Sequence, residues 1–163
     1  MVNLPARYKM STPKYQSLQH HDIPKVVLED NKSIVEVIAG NYRGTQGLAQ
    51  TFTPMEVYNL RLSEGGVCRI STPNHYHTAA LVIEGTVVAN DNEEVAVNQM
   101  IYFGNDGTAI ELKAKEDSVL LFLSGEPINE PVAQYGPFLM NTPQEIQQAI
   151  SDYNTGKFGY LED

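Results

Sequence analysis

Basic residues, histidines and cysteines are all scarce in this chain, and each scarcity removes a class of function. Eleven Lys and Arg stand against twenty Asp and Glu, giving a formal charge of −9 and a pI near 4.8. A field of that sign repels phosphate backbones and anionic lipid, so neither nucleic acid nor a membrane surface is expected as a partner. The single Cys68 has no partner for an internal disulfide, which suits a reducing compartment. No apolar run reaches the roughly 18 residues of a spanning helix, and MVNLPARYKM at the start lacks the apolar stretch of a secretory signal. A soluble, cytoplasmic protein is expected.

Motifs with built-in chemistry are also missing. There is no Ser elbow, no Walker loop and no Cys pair. The glycines of GNYRGTQG (40–47) do not have dinucleotide spacing, and QTFTPMEVY after them reads as strand rather than helix, so they read as a flexible loop and a phosphate site is rejected. Cys68 sits among Val67 and Ile70 without a basic neighbour to activate it, and reads as a small buried hydrophobe.

What is present is a long series of short β segments. With 163 residues, one domain with a real core is expected. Residues 1–32, with Pro5, Pro13 and Pro24, read as an extended lead-in where a long helix is excluded. Residues 33–125 hold SIVEVIAG, MEVYNLRLS, VCRIS, TAALVIEGTVVAN, EVAV, MIYF, TAIELKA and SVLLFLSG. Turn residues at Glu64-Gly65-Gly66, Asn90-Asp91-Asn92 and Gly104-Asn105-Asp106-Gly107 punctuate them. That pattern predicts an all-β sandwich or small barrel of antiparallel hairpins. In MEVYNLRLS the inward face is ambiguous: Met55, Val57, Asn59 and Arg61 form one side, with the alternative set opposite.

Residues 126–163 begin with an extended loop containing Pro127, Pro131 and Pro137, then a helix. Thr142 is a suitable N-cap, Pro143 suits the first helical position, and Glu145 completes a capping box. Ile146, Ala149, Ile150 and Tyr153 share one stripe, and Gly156 is a natural stop.

The four histidines are His20, His21, His75 and His77. Adjacent His20 and His21 diverge in extended chain and read as solvated linker residues. In His75-Tyr76-His77 the two imidazoles, two residues apart in a strand, face one side and could share a metal. They read first as partly exposed polar side chains at a strand entry, because no further His follows to complete a ligand set.

GEPINEPVAQYGPFLMNTPQEIQQAISDYNTGKFG (125–159) resembles the C-terminal signature of the pirin family, and VNLPARYKMSTPKYQ (2–16) resembles the segment that leads from the first pirin domain into the second. The resemblance implies a cupin-type antiparallel β-barrel, a double-stranded β-helix or jelly roll, with a short C-terminal helix. In such bicupins the first barrel carries an iron-type metal on three His and one Glu, and the second usually lacks those ligands. Bacterial members are associated with quercetin 2,3-dioxygenase activity, animal members with nuclear transcription cofactors. The chain therefore looks like the second barrel alone. Counting back from Gly85, the family's Glu falls on Thr78 and its His pair near Ser71 and Pro73, so His75 and His77 are out of register and no metal ligand carries over.

Three functions follow as expectations. The first is a metal-free module needing no cofactor, forming a homodimer or joining a partner cupin domain through a surface containing Tyr8, Tyr15, Tyr135, Phe138 and Leu139. A second is a quercetinase-like oxygenase holding Fe or another divalent transition metal on His75, His77 and a third ligand. In the third, a small aromatic ligand sits in the barrel interior, lined by His75, Tyr76, His77 and Tyr102.

Overall fold

In a computed structural model that describes residues 3–12 and 14–159, the chain divides into two compact units, one of Tyr15–Pro127 and one made of the segments on either side of it. The first carries the β segments. After a single helical turn α1 (Ala6–Lys9) in the lead-in come β1 (Lys25–Val27), β2 (Ile34–Ala39), β3 (Asn41–Tyr42), β4 (Thr45–Gln46), β5 (Met55–Leu62) and β6 (Val67–Ser71). They continue as β7 (His77–Glu84), β8 (Thr86–Ala89), β9 (Glu93–Ala96), β10 (Met100–Phe103), β11 (Ala109–Ala114) and β12 (Ser118–Gly125). The last unit adds β13 (Ala133–Tyr135), β14 (Phe138–Met140) and α2 (Pro143–Asn154).

Two antiparallel sheets make the jelly roll. One has six strands in the order β1-β2-β5-β12-β7-β10, the other four in the order β6-β11-β8-β9. Among the described residues no ladder joins them, so they form a two-sheet roll rather than the closed barrel that the sequence suggests. Strand alternation builds the core. Val35, Val37, Leu60, Leu62, Val82, Leu120 and Phe122 point inward from the larger sheet, and Cys68, Ile70, Leu112 and Val87 from the smaller. This settles β5: the buried face is Tyr58, Leu60 and Leu62, and Glu56 shares its parity. Tyr58 stacks on Phe122 with ring centroids 5.6 Å apart.

Three segments differ from expectation. The run TAALVIEGTVVAN is two strands in different sheets, because Gly85, at φ +76°, turns the chain where an L side chain is strained. GNYRGTQG forms the β3–β4 hairpin rather than a loose loop, with Arg43 and Gly44 both at positive φ. The Pro-rich stretch contains the β13–β14 hairpin, whose strands lie clear of all three prolines. Against that hairpin packs α2, where Thr142 and Glu145 make the reciprocal capping box and Pro143 opens the helix as the sequence predicts. Asp152, not Tyr153, is the buried member of its last turn, held by Gln148 and Lys157.

The lead-in is tied down by one buried carboxylate. Glu36 on β2 is 3% exposed, with His20 Nε2 at 2.8 Å, Lys25 Nζ at 3.1 Å and Arg61 Nε at 3.5 Å, and it accepts a hydrogen bond from Asn59. His20 thus stays largely solvated, as expected, but also ties the entry of β1 to β2 through Glu36. Burial alone would raise the Glu36 carboxyl, but the bonds from Asn59, His20 and Lys25, with the Arg61 charge, hold it at about 2. A carboxyl lowered from 4.5 in this way stabilises the fold above pH 4.5 and loses its contribution as pH falls through about 2. Its full value is about 3 kcal/mol. Glu36→Gln should therefore cost about 3 kcal/mol in urea unfolding at neutral pH, shrinking as the medium is acidified. A small cost that does not change with pH contradicts this assignment.

Candidate functional site

The interior end of the roll, where β6, β7 and β12 meet the loop before β7, carries hydroxyls rather than ionisable ligands. Alternation along β12 buries Ser118, Leu120, Phe122 and Ser124, so a serine stands at each end of an apolar strand. Ser124 Oγ lies 2.8 Å from both Thr72 Oγ1 and Thr78 Oγ1, and all three side chains are buried. A serine between two threonines can satisfy both with neutral hydrogen bonds and needs no counter-charge. A cavity of about 60 Å3 adjoins this chain, lined by Thr72, Asn74, Tyr76, Thr78, Asp106 and Ile110. Its size suits one or two waters.

The metal that the family resemblance implies does not fit these residues. Divalent transition metals are held by imidazole, thiolate and carboxylate groups, usually three or four together. Thr78, at the position of the family's Glu, is a neutral hydroxyl already bonded to Ser124. Asp106 is the one carboxylate at the cavity, and it is exposed. Among the described residues no three His, Cys, Asp or Glu side chains gather closely enough to hold an ion.

The four candidate ligand-binding residues separate. Only Tyr76 lines the small cavity. His75 lies in the turn closed by the Tyr76 N–H bond to the Pro73 carbonyl, ahead of β7, so the two-residue strand period does not relate it to His77. Both histidines are exposed, and the His75 ring meets the Tyr76 ring edge-on with centroids 4.9 Å apart. Tyr102 is 80% exposed and borders an outer groove with Glu93 and Glu94. The expectation that all four face the interior is corrected on this geometry: β10 pairs with β7 through a register that buries Ile101 and turns Tyr102 outward. Cys68 is fully buried beside the Tyr42 hydroxyl, and burial pushes its thiol up to about 11, which leaves it inert at neutral pH.

A larger cleft, of about 700 Å3, opens along the β3–β4 hairpin, the loop at 47–54, the start of β5 and the loop carrying Pro73 and Tyr76. Among the described residues its one charged lining residue is Glu56. Gly40 shapes this corner. It sits at φ +82°, and a Cβ there would lie 2.7 Å from the Met55 carbonyl oxygen and 3.0 Å from Glu56 Cγ. The loop is fixed from the other side by Gln16, whose side-chain amide donates to the Gln50 carbonyl at 2.9 Å and accepts the Gln50 N–H at 2.8 Å. Sequence reading passed over Glu56 and Ser124. The signal for both was parity: each is a polar residue in phase with the apolar face of its strand.

Comparison with known proteins decides the family. The model of the pirin C-terminal cupin domain matches residues 57–159. The chain belongs to this family. A Pseudomonas aeruginosa protein, whose name refers to quercetin 2,3-dioxygenase, is 41% identical over 157 residues, 96% of this chain and 54% of its own length. Pirin-like protein 2 of Arabidopsis thaliana is 36% identical over 98% of this chain and 51% of its own length. The crystal structure of a quercetin 2,3-dioxygenase from Acinetobacter baumannii superposes with a TM-score of 0.93 at 40% identity, covering 99% of this chain and 56% of that one. This chain thus spans about half the length of the curated relatives it matches. Its jelly roll is a pirin-type cupin fold, and no helix among the described residues is long and apolar enough to cross a membrane.

The hydroxyl chain of this pirin-type cupin should behave as one unit. Ser124→Ala removes the shared partner of Thr72 and Thr78 and should cost about 2 kcal/mol in urea unfolding. Combining it with Thr72→Val and Thr78→Val removes the stranded hydroxyls and should recover most of that loss. If the three changes simply add, the hydroxyls do not act together.

Proposed function

We propose that this chain is a metal-free cupin module that binds and assembles within a pirin-type protein and does not itself carry out oxygenase chemistry. The observation that carries this reading is the Thr78 hydroxyl bonded to Ser124, at the position where the metal-binding pattern needs a carboxylate. A ligand shell of neutral hydroxyls offers a transition ion no charge neutralisation and no soft donor. No cofactor is required for such a module. A cytoplasmic setting suits Cys68, a buried thiol without a partner for a disulfide.

Assembly is supported by the C-terminal segment. Val132, Tyr135, Tyr153 and Phe158 all lie more than half exposed, and the Phe138, Tyr153 and Phe158 rings cluster with centroids 6.3–6.4 Å apart. Exposed apolar groups gathered this way favour association, with a second copy or with another cupin domain.

A second reading is a quercetin 2,3-dioxygenase-like oxygenase, favoured by the name of the Acinetobacter baumannii relative, of which this chain covers 56%. Oxygen uptake separates the two. The purified chain, given quercetin with and without added Fe(II) or Ni(II), should consume no oxygen above the buffer rate, while light scattering of the same sample reports a dimer. Metal-dependent turnover of the flavonol overturns the module reading in favour of the oxygenase.

A further inference from the structure

The 700 Å3 cleft around Glu56 has no part in the function proposed above, and it is bordered by a carboxyl with an unpartnered oxygen. Glu56 stands on the inward parity of β5, and its partly buried side chain lies against the Gly40 corner that precedes β3. Its Oε2 is buried and has no hydrogen-bond partner among the described residues. A carboxylate oxygen stripped of water without a partner is costly to keep, and is relieved by protonation or by an incoming donor. Burial does push this carboxyl above its usual range, with the Tyr58 hydroxyl acting only partly in the other direction.

The titratable groups facing it add no positive charge. Tyr58 lies on the same strand and donates its hydroxyl to the Asn41 carbonyl at 3.0 Å. Tyr76 comes from the loop before β7, and burial foremost, then the Glu126 and Glu56 charges, disfavours its ionised form. Among the described residues no Lys, Arg or His lines the cleft. The remaining polar lining is Asn41, Gln46, Gln50 and Thr51, whose carbonyl and hydroxyl oxygens accept N–H bonds.

We infer that this cleft is a binding site for a small organic cation bearing several N–H donors, a guanidinium or a primary ammonium, anchored on the Glu56 carboxyl. The pieces are complementary. A charge-assisted N–H bond to a carboxylate is about twice as strong as a neutral one, and it brings the Glu56 carboxyl the counter-charge that the described lining lacks. The Tyr76 ring offers the aromatic surface on which guanidinium groups pack. The amide side chains take up the remaining donors. At −9 overall, the chain attracts cations and repels anions, so the ligand class is the one its field concentrates.

Agmatine, which carries a guanidinium and an ammonium, is the probe, with sorbitol as a neutral polyol of similar size. Calorimetric titration of the whole chain at neutral pH should show saturable, one-to-one agmatine binding and none for sorbitol. Glu56→Gln should weaken agmatine at least about tenfold, which is about 1.4 kcal/mol, while unfolding curves show that the variant keeps or gains stability. Glu116→Gln, an exposed carboxyl away from the cleft, should leave the affinity unchanged. Absence of saturable agmatine binding overturns the inference, as does equal weakening by both substitutions, which marks general attraction to an acidic surface. Sorbitol binding as tight as agmatine overturns the assignment to a cation. None of these outcomes depends on whether the chain carries oxygenase activity.

Discussion

The Thr72–Ser124–Thr78 chain is the constraint from which the functional reading of this domain follows. It lies at the end of the roll, between the strand that closes the core and the loop that brings in Tyr76, and it completes its own hydrogen bonding. The apolar core beneath it, from Phe122 to Leu60 and Val82, needs no charge for balance and receives none. A neutral, self-satisfied polar cluster can be buried at little cost, whereas a set of metal ligands without its ion cannot. On the reading proposed here, the geometry that satisfies the buried hydroxyls is also the geometry that offers a transition ion no charged donor.

Two carboxyls of the larger sheet have opposite character. Glu36 is buried but surrounded, with imidazole, ammonium, guanidinium and amide donors converging on it from the lead-in, β1 and β5. Glu56 is partly buried at the edge of the cleft, with its Oε2 shielded from solvent and unpaired among the described residues. Both carboxyls stand on the larger sheet, yet burial prevails in one and hydrogen bonding in the other, and their acidities move in opposite directions. The contrast assigns Glu36 to holding the chain together and leaves Glu56 available for something that is not part of the chain.

Much of this was legible in the residue order, for identifiable reasons. The β segments, the Asn90-Asp91 turn and the Thr142–Glu145 capping box are local patterns, fixed by neighbours a few positions apart. The family resemblance pointed to Thr78 as the residue in place of a ligand, and the structure adds the partner that makes the substitution stable. What escaped were facts that depend on distant segments. His20 reads as merely solvated until Glu36 is brought against it across sixteen positions. The parity of β5 could not be read because both of its faces mix polar and apolar residues, and with it went the burial of Glu56. Tyr102 shares a strand with buried Ile101, and only the pairing with β7 decides which of the two faces out.

The central claim is that a roll closed by hydroxyls holds no catalytic ion. It is tested most directly by titrating Fe(II) and Ni(II) into the purified chain under anaerobic conditions, followed by gel filtration and elemental analysis of the protein peak. The account predicts far less than one ion per chain. One tightly held ion per chain, lost when His75 and His77 are both replaced by alanine, contradicts it.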